Sequence, residues 1–130
     1  MPMTLINELM VSNVDVSIKF YTELFDFKIK LVDGNPVSWA QLEKDGVVLM
    51  LQDYDEARKE IKNIPQKVSS CNMIRFEFGK VTEIGPIYSA SVKNAVEIFM
   101  DYIETDYGKA EFGIYDPDKN IIIVSAPVDS

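Results

Sequence analysis

The chain has 130 residues, 47% of them hydrophobic, a length and composition that suit one sizeable core and not two. Its 21 acidic and 13 basic residues leave a net charge of -8, which repels nucleic acid and anionic membrane surfaces and argues against either as a partner. Histidine is absent, so histidine-based metal sites and triads are excluded, and any chemistry must run on carboxylates, tyrosine, lysine or backbone groups.

Residues Thr4 to Val11 alternate Leu5, Asn7, Leu9 and Val11 with Ile6, Glu8 and Met10, which predicts a strand. A helix follows, with Ser12 as its cap, Asp15 three residues on, and Val14, Ser17, Ile18, Tyr21 and Leu24 on one face. Phe27, Ile29 and Leu31 alternate with Lys28 and Lys30 in a second strand, which the turn Asp33-Gly34-Asn35-Pro36 ends. Val37 to Glu43 and Val47 to Gln52 then flank Lys44-Asp45-Gly46, a hairpin signal with glycine where a positive φ is needed. Asp53 to Ile64 reads as a charged surface helix, and Pro65-Gln66-Lys67 as a crossover. The second half repeats the order. A strand from Asn72 to Phe78 precedes a helix between Thr82 and Val92 that Gly85 and Pro86 weaken, unless Pro86 lies in the first turn. Strands from Ala95 to Glu104 and Ala110 to Tyr115, the turn Asp116-Pro117-Asp118-Lys119-Asn120 and a strand from Ile121 to Ser125 complete it. The class is α+β, a unit of strand, helix and three strands used twice, with module one at about residues 1–64 and module two at about 68–130 of a single domain. No apolar run approaches a bilayer span and the amino terminus lacks a signal-peptide pattern, so a cytoplasmic location is expected. The single cysteine, Cys71, is expected to be a buried, inert thiol.

With that order in place, Asn7-Glu8-Leu9-Met10-Val11-Ser12-Asn13, followed by Ser17, Phe20-Tyr21 and Phe25-Asp26-Phe27, resembles the opening strand and helix of the glyoxalase, bleomycin-resistance and dioxygenase superfamily, the vicinal-oxygen-chelate fold. Tyr107-Gly108, Phe112 and Asp116-Pro117-Asp118-Lys119-Asn120 are similar to its closing hairpin. The resemblance implies a curved half-barrel with helices on the convex face and a ligand in the concave one. It also implies metal ligands on the first, fourth, fifth and eighth strands, where this chain has Ile6, Met50, Met73 and Ile123. Those side chains cannot hold a hard or borderline divalent ion; two thioethers with two isoleucines read as apolar lining, so no metal or other cofactor is expected.

Alternation sorts the strands into faces. Ile74, Phe76 and Phe78 should meet the helices, leaving Met73, Arg75 and Glu77 toward the hollow; Ala40 and Leu42 should be covered, leaving Trp39, Gln41 and Glu43 open. By the same rule Glu8, Met10, Met50, Gln52, Glu111 and Tyr115 join the open face. Arg75, one of two arginines, is either a fork for a ligand carboxylate or phosphate or half of an ion pair with Glu8 or Glu77. Trp39 could stack on a ring or cation, or pack in a core or interface. Tyr102, Glu104 and Tyr107 stand where the superfamily gates its pocket, although their face is ambiguous and plain packing competes. The ligand-binding set is therefore Glu8, Met10, Trp39, Gln41, Met50, Gln52, Met73, Arg75, Glu77, Tyr102, Glu104, Tyr107 and Tyr115, with no catalytic or metal-binding residue.

These residues point first to metal-independent capture of a drug-like or aromatic small molecule by a homodimer. An enzyme of the same superfamily is the alternative, a lyase, isomerase or dioxygenase using unexpected ligands such as Glu8 and Glu77 or a carboxylate of raised pKa. A regulatory subunit whose hollow is filled by its own side chains is the third.

Overall fold

Each half of the chain carries four strands, with a long helix after the first of them, in a computed structural model that describes residues 2–61 and 73–128. By their contacts the halves form two units, Met1–Val68 and Ser69–Ser130. Cys71 and Pro65-Gln66-Lys67 lie outside the described residues.

In the first unit the strands β1 (Asn7–Val11), β2 (Lys28–Asp33), β3 (Trp39–Lys44) and β4 (Val47–Asp53) form a mixed sheet in the order β1-β4-β3-β2, with β1 parallel to β4. The helix α1 (Val14–Phe25) is capped by Asn13, whose Oδ1 accepts from the Val16 amide at 3.1 Å. Asn13 displaces the expected Ser12, because an Asn at that place reaches an amide three residues on. Val14, Ser17, Tyr21 and Phe25 are the buried stripe of α1, and Ala40, Leu42, Leu49 and Leu51 are the buried face of the sheet. The β3–β4 turn has Asp45 at φ 50° and Gly46 at φ 80°, two left-handed residues that match the twist of the flanking strands. A short helix, α2 (Tyr54–Glu60), follows, capped by Asp53.

Strand β2 departs from its expected alternation. A register shift between Ile29 and Leu31 sends these two residues to opposite faces, and all six residues of this edge strand are exposed. Phe27, the buried member of the expected set, precedes the strand.

In the second unit β5 (Met73–Glu77), β6 (Ile98–Glu104), β7 (Lys109–Tyr115) and β8 (Ile121–Pro127) pair in the order β5-β8-β7-β6, the same topology. The helix α3 (Val81–Lys93) begins earlier than expected and carries Pro86 in its second turn, not its first. Ala110, Phe112 and Ile114, with Ile122, Val124 and Ala126, are buried on the sheet side that meets α3, where Tyr88 packs edge-on against Phe112. The last hairpin turns on Asp116, whose Oδ1 accepts from the amides of Asp118 (2.9 Å) and Asn120 (2.8 Å). None of the described helices is long and apolar enough to cross a membrane.

Candidate functional site

The ladder registers place the predicted residues row by row. On the first sheet, Glu8, Met50, Gln41 and Leu31 run across the strands, followed by a row of Met10, Gln52, Trp39 and Asp33. Cross-strand partners share a face. These rows therefore lie opposite the covered Ala40, Leu42, Leu49 and Leu51, and all six predicted residues of this unit, Glu8, Met10, Trp39, Gln41, Met50 and Gln52, share the open side. Trp39, Gln41, Met50 and Gln52 are half-buried and Glu8 is exposed.

The face of the second sheet opposite α3 runs from apolar to polar; Met73, Arg75 and Glu77 on β5 are exposed there and Tyr115 and Ile121 half-buried, while Glu111, Gly113, Ile123 and Ser125 are buried. Met73, Ile121 and Tyr115 make one row, Arg75, Ile123 and Gly113 the next, and Glu77, Ser125 and Glu111 the third. Phe99, from β6, lies over Gly113 so closely that a Cβ there would overlap its ring, and its ring centroid is 5.0 Å from that of Tyr115. Glycine at 113 is thus what admits the aromatic side chain.

Glu111 organises the polar end. It is 3% exposed, and both carboxylate oxygens are engaged. Oε2 accepts from Arg75 Nη1 at 2.5 Å and from Ser125 Oγ at 3.0 Å, and Oε1 accepts from the Tyr107 hydroxyl at 3.0 Å. Glu77 sits 3.6 Å from the same Arg75 nitrogen and accepts from Lys109 Nζ at 3.1 Å. Two cations and two carboxylates thus neutralise one another. Burial pushes the Glu111 carboxyl up, but the hydrogen bonds from Arg75, Tyr107 and Ser125 and the charge of Arg75 outweigh it and hold the group below the usual carboxylate range. The hydrogen bond to Glu111 raises the Arg75 guanidinium, and the corresponding bond raises the Tyr107 phenol.

Met73, Arg75, Glu77 and Tyr115 therefore share this face as predicted, and Tyr107 reaches it through its hydroxyl. Tyr102 and Glu104 do not: Tyr102 packs on Tyr88 and Phe112, and Glu104 pairs with Ala110, on the helix side. Register shifts between Ile98 and Met100 and between Met100 and Ile103 break the alternation, so parity cannot be counted through β6. Arg75 is paired, with Glu77 as one expected partner; its closer partner is Glu111. Ser125 and Phe99 were not singled out by sequence reasoning. The turn at Asp116–Asn120 fixes the hairpin register and so held the signal that sets Ser125 opposite Glu111.

The superfamily's metal does not suit the residues present. Ile6, expected at the ligand position of the first strand, precedes β1, and it is Glu8 that stands opposite Met50; Ile123 offers no donor atom, Met50 and Met73 offer only soft thioethers, and Glu77 and Glu111 are committed to Lys109 and Arg75, so Glu8 has no second hard donor beside it. Among the described residues no three of aspartate, glutamate, histidine and cysteine converge.

The sequence pattern of the Glyoxalase-like domain family matches residues 4–129. The chain belongs to this family. Solved structures share the fold: a glyoxalase/bleomycin resistance protein/dioxygenase from Nocardioides is 18% identical with a TM-score of 0.76, over 100% of this chain and 86% of its own. A lactoylglutathione lyase from Agrobacterium tumefaciens is 17% identical, TM-score 0.75, over 95% and 92%. A glyoxalase-related enzyme from Fulvimarina pelagi is 14% identical, TM-score 0.82, over 97% and 88%. At such identities the likeness is one of fold. No curated protein sequence matches the chain.

Proposed function

We propose that this glyoxalase-like chain is a metal-independent protein that captures a mainly apolar, ring-bearing small molecule with a polar or charged group, working as a cytoplasmic homodimer. The observation that carries the reading is the chemistry of the sheet faces opposite the helices. Met50, which the resemblance sets at a ligand position, lies near Trp39 in one unit, and exposed Met73 lies in the row of Tyr115 and Ile121, beside a fixed polar cluster, in the other. Such a surface excludes water from an apolar body and orients a head group, and no bond need change. Glu111, the enclosed carboxylate, is held below its ordinary range by its donors, which does not suit it to act as a general acid near neutral pH.

Trp39 is the only tryptophan, so its emission reports directly on its surroundings. Titrating the protein with a panel of anionic, neutral and cationic ring compounds should change that emission for at least one class. A silent Trp39, together with no ligand-dependent rise in melting temperature across the panel, would overturn the reading.

A further inference from the structure

Among the described residues, the hydrogen bond and ion pairs of Arg75 run through one nitrogen. Nη1 donates to Glu111 at 2.5 Å and lies 3.6 Å from Glu77, while Nε and Nη2 make no hydrogen bond among the described residues. The side chain as a whole keeps 43% of its surface exposed although its carboxylate partner is sealed at 4%. A guanidinium has two edges that can each grip two oxygens, and here the Glu111 contact pins the group while leaving the edge formed by Nε and Nη2 unused.

Resting on the small-molecule reading above, we infer that the Nε–Nη2 edge of Arg75 is a preset fork for the oxyanion of the ligand, a carboxylate or phosphate-type group, with the ligand's apolar body lying toward Met73 and Ile121. The row order supports this polarity: exposed Met73 and half-buried Ile121 lie one row from Arg75 on the apolar side, while its direct partner Ile123 is buried. Net charge contributes little to the recognition, because Arg75 and Lys109 are offset by Glu111 and Glu77. Recognition comes from two directed hydrogen bonds, so it favours an oxygen pair of the right spacing over anions in general. Lysine, a single point donor, cannot supply that geometry.

The test compares three probes of one shape by calorimetric titration: 3-phenylpropionate, its neutral amide, and 3-phenylpropylamine, with phenylphosphonate as a second oxyanion. The carboxylate and the phosphonate should bind the native protein more tightly than the amide or the amine. Arg75→Lys keeps the charge and a donor for Glu111, and should weaken the two oxyanions at least about tenfold, as expected for losing a charge-assisted hydrogen bond, while leaving the amide unchanged. Equal affinity for carboxylate and amide, or oxyanion binding that Arg75→Lys does not alter, would overturn the fork. Tightest binding of the amine would overturn the fork and leave small-molecule capture standing, whereas binding of no probe to the native protein would count against both. The ranking on the native protein decides the matter should Arg75→Lys fold poorly.

Discussion

Arg75 and Glu111 are unequal partners, one half open to water and the other enclosed, and this sets what each substitution does. Arg75→Ala leaves an enclosed carboxylate with only Tyr107 and Ser125 as donors. Losing the partner of a fully buried charge costs about 3–5 kcal/mol, and the solvent around Arg75 reduces this to about 1–3 kcal/mol. The cost should depend on pH. In the native protein Glu111 sits below its ordinary 4.5, so its contribution is full above that value and fades as pH falls through the lower folded-state value. Without Arg75 the carboxyl moves up, so the variant recovers by protonating what it can no longer neutralise. Melting curves at pH 7 and pH 4 should show the gap between native and Arg75→Ala narrowing in acid; a gap that stays constant would separate Arg75 from Glu111 energetically. Parity in the sequence already sets Glu111 on the open face. That it is the enclosed centre of the cluster was not legible, because its bond to Arg75 spans 36 residues and depends on how β5 and β7 flank β8.

At the scale of elements, strands that alternate without interruption read correctly from sequence. In β3 the covered Ala40 and Leu42 alternate with half-buried Trp39, Gln41 and Glu43, and in β5 exposed Met73, Arg75 and Glu77 alternate with half-buried Ile74 and Phe76. The reading failed at β2 and stayed ambiguous at β6, where register shifts move later residues to the other face and no local composition announces them. Of the two roles open to Tyr102, the packing against Tyr88 and Phe112 is the one its ring makes. Helix α3 forms despite Gly85 and Pro86 because Ile84, Ile87 and Ser91 bury one stripe, so tertiary packing outweighs local propensity. Gly85 directly precedes Pro86 within the helix, and the Pro86 ring crowds any Cβ on a helical residue before it, so Gly85→Ala should fail to give the gain of about 0.5–1 kcal/mol usual for such a change, measured by denaturant titration. Gly113→Ala should destabilise the protein, because its Cβ meets the Phe99 ring. Adding Phe99→Ala to it should recover part of the loss, and a double variant no better than Gly113→Ala would show that the strain lies elsewhere.

At the scale of the molecule, Ile29, Leu31 and Val32 on the edge strand β2 are each more than half exposed, and Phe99 and Ile103 on the edge strand β6 are exposed as well. Apolar side chains on open sheet edges are what a second copy would cover. Light scattering at micromolar concentration should give twice the chain mass of 14.8 kDa, and replacing Leu31 by lysine should shift the population toward monomer. A monomer throughout would remove the homodimer from the proposal without touching the sites within each unit.

Capture without a metal rests on the donors present: Met50 and Met73 offer only thioethers, Ile123 none, and Glu8 stands opposite Met50 with no second hard donor beside it. It is tested most directly by thermal shift of one preparation, divided into chelator-treated protein and protein with zinc, nickel, manganese or iron restored, against the ring-compound panel. The expected result is a rise in melting temperature with at least one compound, of equal size in every portion. A rise that appears only where a divalent metal has been restored would contradict the claim.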